Sequence, residues 1–293
     1  MMKIKKHYKT ILCILLTLSV YAYMCVVFTP KDSTDSGSSL YFQGMGFMAE
    51  PKNSLDVIMY GNSDVYSGFN PVVLKEKYGY SSYSSGKANQ NVGNINTLLK
   101  ETLKNQSPKL VILETDCFYA KKKVDLDKLN GLASPFVYHS RWKEIKPRDF
   151  YQIPSRKKNP DKIKGFFVSK KVQETKIKSS YMGSEYSVPK PIPQENVREI
   201  EKFLKICREN SITVLFVELP SPSSWTYAKH NAVDELAKKH NIKFIDMNIP
   251  TDEYKVDMKK DFRDNGNHLN VYGAQKATEH LGKFIDDSYP NKV

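Results

Sequence analysis

At 293 residues, with 40% apolar and 12% aromatic side chains and only 14 Gly and 15 Pro, the chain has the composition of a protein that buries a sizeable core, which excludes fibrous and disordered classes. Its length suits one medium domain with appendages rather than several domains. Forty-five Lys and Arg against 32 Asp and Glu give a formal charge of +13, and four Cys cannot make a disulfide scaffold.

The first feature along the chain is an uncharged apolar run at residues 11–28 (ILCILLTLSVYAYMCVVF), which as a helix spans roughly 27 Å, a minimal membrane crossing. Lys3, Lys5, Lys6 and Lys9 precede it without an acidic residue, so the positive-inside bias keeps the N-terminus cytoplasmic and places the rest outside. A cleaved signal peptide would need small residues at its end. The run ends instead in Tyr23, Met24, Val26, Val27 and Phe28, so residues 1–30 read as a cytoplasmic tip and uncleaved single-pass anchor in the cell membrane. Residues 31–45 follow as a polar tether, with LYFQG at 40–44 read as native sequence leading into the domain.

The domain, residues 46–288 before a tail at 289–293, alternates strand and helix. LDVIMY at 55–60 predicts a strand, Ile95, Leu98, Leu99 and Leu103 share a helical face, and LVIL at 110–113 predicts a second strand. Pro193 opens a helix carrying Val197, Ile200, Leu204 and Cys207, and TVLFV at 213–217 follows as a strand. Ala232, Val233, Leu236 and Ala237 mark another helix before a strand at 243–245. A last helix is capped by Asn270 and turns Ala274, Ala277, Leu281 and Phe284 inward. Such alternation predicts an α/β fold, a parallel sheet with helices on both faces, whose site lies beyond the carboxyl ends of the strands.

Between these halves lies a basic insertion at about 121–190, with 18 Lys or Arg and 7 Asp or Glu. Residues 1–30 add +4, so the remainder of the chain is slightly acidic. A block of that sign, carrying Lys121, Lys122, Lys123, Arg156, Lys157 and Lys158, concentrates an anionic partner. Outside a membrane this means an anionic surface polymer or acylated glycan, or lipid head groups, and no nucleic acid. A solvated basic surface is the plain alternative.

The strand ends carry GNSD at 61–64, ETD at 114–116, ELPS at 218–221 and, near the C-terminus, DNGNH at 264–268. One serine, one histidine and one acid suffice for acyl transfer, because a hydroxyl becomes nucleophilic when a positioned imidazole takes its proton and a carboxylate fixes the tautomer. Ser63, His268 and Asp264 are the candidates. Gly61 permits the turn that lifts Ser63 out of its strand, and backbone N–H groups after it can face an oxyanion. The surviving cysteines, Cys117 and Cys207, show no metal spacing, so no metal and no cofactor is expected. Cys117 reads as a buried small hydrophobe, Asp64 as a turn or surface acid, Asn62 and Asn70 as loop formers, Tyr66 and Phe69 as core, and His230 and His240 as solvated.

GNSDVYSGFNP at 61–71 resembles the first block of SGNH/GDSL-type hydrolases, and DNGNHLNVYGAQK at 264–276 resembles their last. The anchored N-terminus, EPKNSLDVI at 50–58 and HSRW at 139–142 are similar to extracytoplasmic SGNH-like proteins of Gram-positive bacteria. Some of those partner multi-span membrane O-acyltransferases in modifying teichoic acids or other surface polysaccharides. The resemblance covers roughly residues 45–288. It implies a flavodoxin-like three-layer fold, with Ser63 as nucleophile, His268 as general base and Asp264 as orienting acid. It also implies an oxyanion hole at Ser63, Gly86 and Gln90, with Gly93 as the alternative glycine. His139, Arg141 and Trp142 are candidates for lining the substrate channel, His139 having a packed, hydrogen-bonded alternative. Two departures stand out. Acid and base are spaced D-x-x-x-H rather than D-x-x-H, so either Gly266 absorbs the extra residue or Asp264 is the weaker in its role. LETD at 113–116 also replaces G-x-N-D, so the usual Asn donor is missing, and a carboxylate at Asp116 would repel an oxyanion. Three readings follow: an O-acyltransferase acting on an anionic surface polymer, an esterase using the same triad, and a non-catalytic polymer-binding scaffold on a degenerate hydrolase fold.

Overall fold

The computed structural model describes residues 2–31, 44–121, 126–152 and 162–289. In chain order the elements are α1 (Met2–Phe28), β1 (Val57–Gly61), α2 (Ser63–Gly68), α3 (Pro71–Tyr78), β2 (Ser82–Gly86), α4 (Val92–Thr102) and β3 (Leu110–Glu114). Then come α5 (Leu126–Val137), α6 (Gln194–Glu209), β4 (Thr213–Glu218), α7 (Tyr227–His240), β5 (Lys243–Asp246) and α8 (Val271–Ser288). They fall into two compact units, residues 1–43 with 123–158, and residues 44–122 with 159–293. Residues 123–158 of the basic stretch group with the N-terminal helix and residues 159–190 with the sheet. The 32–43 part of the tether, Lys122, Lys123, Arg156, Lys157 and Lys158 lie outside the described residues.

The larger unit is built on five parallel strands in the order β2-β1-β3-β4-β5, the flavodoxin-like doubly wound order. Alternate strand residues face opposite sides, and each side carries its own core. Ile58, Tyr60, Val111, Leu113 and Phe216 pack with Ile95 and Leu99 of α4, Ile200 and Phe203 of α6 and Val233 of α7. Val57, Met59, Leu110, Ile112 and Leu215 pack with Val65, Leu74, Ala277, Leu281 and Ile285 of α2, α3 and α8. Burial on both faces explains why these strands read as continuous apolar runs. Edge strand β2 is the exception. Its SYSSG is fully buried with one large apolar side chain, and Ser84 Oγ and Ser85 Oγ donate to the carbonyls of Val65 and Gly44. Its outer edge is covered where Ser84 N donates to Lys164 O at 2.9 Å.

In the smaller unit, residues His7–Phe28 of α1 are long and apolar enough to cross a membrane. Ile11, Leu12, Leu15, Leu16, Leu18 and Val20 are each more than half exposed, so the apolar surface faces outward all round, whereas Cys25, Val27 and Phe28 are buried. Helix α5 and the turns after it hold that end. Tyr21 OH donates to Leu132 O, Tyr23 OH donates to Phe150 O at 2.8 Å, and the hydroxyls of Thr29 and Ser134 meet at 2.7 Å. Arg141, 1% exposed, donates to Phe28 O at 2.6 Å and to Asp149 Oδ2 at 3.2 Å. Its guanidinium thus satisfies terminal carbonyls that no helical N–H reaches, at the end where the helix dipole favours a cation.

Helix α8 touches α3 through Gly282, where an added Cβ would lie 2.3 Å from the Tyr78 ring, itself held by its hydroxyl on Glu279 O. Alanine is the better helix former by about 1 kcal/mol. Gly282→Ala is nonetheless expected to lower stability, because overpacking against a pinned ring costs about 1–3 kcal/mol. A urea midpoint above that of the parent would contradict this.

Candidate active site

Strand β1 ends at Gly61, and the chain turns at once into α2, whose first helical residue is Ser63. Asn62 caps that helix, its Oδ1 accepting from Asp64 N at 2.7 Å. The turn is also held from the next strand. Glu114 at the end of β3 accepts from Asn62 N at 3.1 Å and from Asp116 N at 2.8 Å. Gly61 makes this approach feasible, since a Cβ there would lie 2.5 Å from Glu114 Cβ. Gly86, level with Gly61 in the next strand, is equally constrained: a Cβ would meet Asn62 O at 2.7 Å and Tyr66 N at 2.9 Å.

The C-terminal loop completes the arrangement. Asn265 and Gly266 both adopt left-handed backbone, with φ of 58° and 85°, and this pair absorbs the extra residue between Asp264 and His268. His268 N then donates to Asp264 Oδ1 at 2.6 Å, while His268 Nδ1 lies 2.5 Å from Asp264 Oδ2. On the far side of the ring, Nε2 stands 2.8 Å from Ser63 Oγ. Since the carboxylate only accepts, Nδ1 carries the proton and Nε2 accepts from the serine hydroxyl. The three sequence-predicted residues therefore meet at one mouth of the sheet, at the carboxyl ends of the strands.

Several groups around them had no signal in the sequence. The Tyr66 ring lies 6.5 Å from His268 and nearly parallel to it, and is half-buried rather than core. Arg263 donates to Ser67 Oγ at 2.9 Å, lies 3.8 Å from Asp264 Oδ2 and covers the Phe167 ring at 4.8 Å. Phe167 belongs to an extended strap, residues 166–177, which binds both halves of the site. Phe167 N donates to Tyr66 O, Val271 N to Ser169 O, Gln173 N to Phe262 O and Lys176 N to Asn265 Oδ1.

Behind the serine sits a carboxylate group. Oxygens of Asp64, Glu114 and Asp116 lie within 4.8 Å of one another, close enough for a hard cation with oxygen ligands. Much of their valence is already used, because Lys229 donates to Asp116 Oδ1 at 2.7 Å, Asn62 Nδ2 donates to Asp116 Oδ2, and Glu114 accepts two backbone N–H groups. Asp64 is buried, not a surface acid, and Asn62 and Asn70 are helix caps. Burial first, then the neighbouring carboxylates, raise the Asp64 and Glu114 carboxyls well above the usual range. Glu218, at the end of β4, is raised by the same causes. Its Oε2 accepts from Thr115 Oγ1 at 2.6 Å and its buried Oε1 has no partner among the described residues. Burial likewise pushes the Cys117 thiol up, away from nucleophilic chemistry.

No protein-family model and no curated protein matches the sequence. Among solved structures the chain is similar to a family 3 carbohydrate esterase from Clostridium thermocellum, with 13% identity over 80% of this chain and 96% of that one and a TM-score of 0.40. It is similar also to a GDSL-like lipase from Bacteroides thetaiotaomicron, at 13% identity over 79% and 88% with a TM-score of 0.39. An acetyl xylan esterase matches at 9% identity over 78% and 99% with a TM-score of 0.40.

The remaining predicted residues divide. Gln90 is buried, its turn tied to the elbow through Gln90 N on Lys87 O and Lys87 N on Gly61 O, and its carboxamide has no partner among the described residues. Gly93 lies within α4. Arg141, expected to bind substrate, is instead buried and committed to Asp149 and to the end of α1. Trp142 is exposed, and His139, also exposed, has Nδ1 at 2.8 Å from Phe136 O. All three belong to the smaller unit. His230 is not simply solvated, since its Nδ1 meets Asp246 Oδ2 at 2.8 Å.

The raised Glu218 carboxyl has a signed consequence. The folded chain keeps a proton that the unfolded chain releases from the ordinary value of 4.5, so stability present below that pH is lost as pH rises towards the raised folded value. Glu218→Gln is expected to make the decline shallower above pH 4.5, read from urea midpoints across pH. Asp64 and Glu114 shift the same way, so some slope remains. A steeper decline in the variant would refute the assignment.

Proposed function

We propose that this chain is a serine-dependent O-acyltransferase, anchored by α1 with its larger unit outside the cell membrane. It passes an acyl group through Ser63 onto a hydroxyl of an anionic surface polysaccharide or teichoic acid. The relay Ser63 Oγ, His268 Nε2, His268 Nδ1, Asp264 carries this reading, each link within hydrogen-bond distance. In the first half-reaction His268 takes the hydroxyl proton as Ser63 attacks the acyl carbonyl, and Asp264 stabilises the imidazolium. His268 then gives that proton to the departing group. In the second half the imidazole takes a proton from the acceptor hydroxyl, which attacks the acyl-serine and regenerates the enzyme.

The oxyanion needs donors fixed before the charge develops. Ser63 N–H, at the first position of α2, has no intrahelical acceptor, and the unpartnered Gln90 carboxamide follows Gly86 in the adjoining turn. Asp116 is unsuited, being an anion already shared by Lys229 and Asn62. An anionic acceptor is favoured by exposed Lys170, Lys171 and Lys176 along the strap that borders the catalytic loop, with Lys178 just after it. The resemblance adds a multi-span membrane O-acyltransferase as supplier of the acyl group.

A second reading, an esterase delivering the same acyl group to water, is supported by the openness of the site. Ser63 is half-buried and the Asp264 side chain is 36% exposed, so water reaches the acyl-serine. Incubating the purified chain with an activated acyl ester, with and without teichoic acid, separates the two: acceptor-dependent acyl incorporation supports transfer, and release indifferent to acceptor supports hydrolysis.

Ser63→Ala and His268→Ala are each expected to lower turnover of the activated ester by at least about 10³-fold with unchanged circular dichroism. Full activity in Ser63→Ala rejects both readings. Replacing Lys170, Lys171 and Lys176 together with Glu is expected to raise KM for the anionic acceptor and flatten its dependence on salt, leaving turnover of a neutral ester unchanged. Equal salt dependence in parent and variant would sever the link between strap and acceptor.

A further inference from the structure

The smaller unit carries a surface that the acyl chemistry does not use. Within 20 residues after the α5 midpoint, Leu132, Phe136, Trp142, Phe150 and Tyr151 are exposed by 68%, 71%, 62%, 50% and 78%. Leu132 and Phe136 stand one turn apart on the same face of α5. So many exposed large apolar side chains in so short a stretch mark an interaction surface rather than chance.

What covers it follows from where it is fastened. Tyr21 OH binds Leu132 O, Tyr23 OH binds Phe150 O, and the Tyr21 ring lies 6.4 Å from that of Phe136. Arg141 and Asp149 form a buried pair that locks the two turns to Phe28 O. Tyr21 lies seven residues, or about 10 Å, before the end of α1 at Phe28, so Leu132 and Phe136 sit beside the last two turns of the helix. The patch thus continues the outward-facing apolar surface of α1 at the level where a spanning helix leaves hydrocarbon for head groups. Its chemistry fits that level. Aromatic residues dominate it, and exposed Lys143 and Lys146 with half-buried Arg148 exceed the exposed Glu144 in charge.

We propose that residues 132–151 form a platform lying in the interfacial layer of the outer leaflet. In it Leu132, Phe136 and Trp142 enter the boundary between acyl chains and head groups, and the cations meet anionic lipid phosphate. The proposal rests on the reading of α1 as a membrane anchor. It adds a second, in-plane contact that fixes the exit of the helix, where an unsupported anchor would leave the chain free to swivel.

The chain contains two tryptophans, and Trp225 is buried with its N–H on Asp246, so Trp142 is the one able to report on lipid. The full chain, reconstituted in phosphatidylcholine–phosphatidylglycerol vesicles, is read by tryptophan emission with lipids brominated near the carbonyl end or near mid-chain. Expected is a loss of emission stronger with the shallow bromine than with the deep one, weaker in vesicles of phosphatidylcholine alone, and absent in Trp142→Phe. Equal emission of parent and Trp142→Phe with either brominated lipid overturns the platform, provided alkaline carbonate leaves the chain in the vesicles. Extraction by carbonate instead removes the anchor reading and the platform with it. Blue-shifted emission that lipid bromine does not touch and that changes on diluting the chain in the bilayer identifies a second copy as the occupant, and also overturns the proposal.

Discussion

Glu114 holds the turn that carries Ser63 in place. A strand that ends in Gly61 and turns at once into a six-residue helix leaves the Asn62 N–H outside regular structure, and the Glu114 carboxyl takes it together with the Asp116 N–H of its own turn. A buried hydrogen bond contributes about 0.5–1.5 kcal/mol net and leaving its donor unpaired costs more, so the pair favours a single orientation of so short a helix. The arrangement requires that residue 61 have no side chain and that β1 and β3 be neighbours, so the sheet order and the serine's position are two aspects of one constraint. Desolvation first, then the Asp116 and Asp64 carboxylates, raise the Glu114 carboxyl, and the two N–H donors oppose that rise without cancelling it.

Around this fixed serine the second half of the site is held by different means. His268 is aimed by a loop whose two left-handed residues let one carboxylate bond both the backbone and the ring, and by the strap, which ties that loop to the helix carrying Ser63. Arg263 spans the same gap with its contacts to Ser67, Asp264 and Phe167. The imidazole is thereby held with its Nε2 on the Ser63 hydroxyl, a geometry suited to proton transfer from that oxygen.

The legible parts of the fold were those where burial leaves a pattern. β1, β3 and β4 are covered on both faces and so appear as apolar runs, and Asp264 with His268 could be assigned to one loop because five residues cannot separate far. β2 escaped notice because its serines bond backbone carbonyls in place of packing apolar side chains. α3 did so because Asn70 and Pro71 signal a start without a strong apolar periodicity behind it. Residues 166–177 have no periodicity, being extended and bonded to partners more than 80 positions away, so neither the strap nor the Tyr66–His268 pairing could be read. Asp64 and Arg141 were misjudged for one reason. Burial of a charge is decided by distant partners, and Arg141 finds its own in carbonyls 113 residues earlier.

Ser63 and His268 are separated by 205 positions. A sheet made wholly of parallel pairings, each needing a long crossover, has high contact order and forms slowly, since loop-closure entropy must be overcome before distant contacts repay it. During synthesis the hydroxyl precedes the imidazole by those 205 positions. A chain interrupted between them therefore holds the Ser63 hydroxyl with no imidazole beside it, and the hydrogen-bonded set closes only when the loop carrying His268 has folded against the sheet.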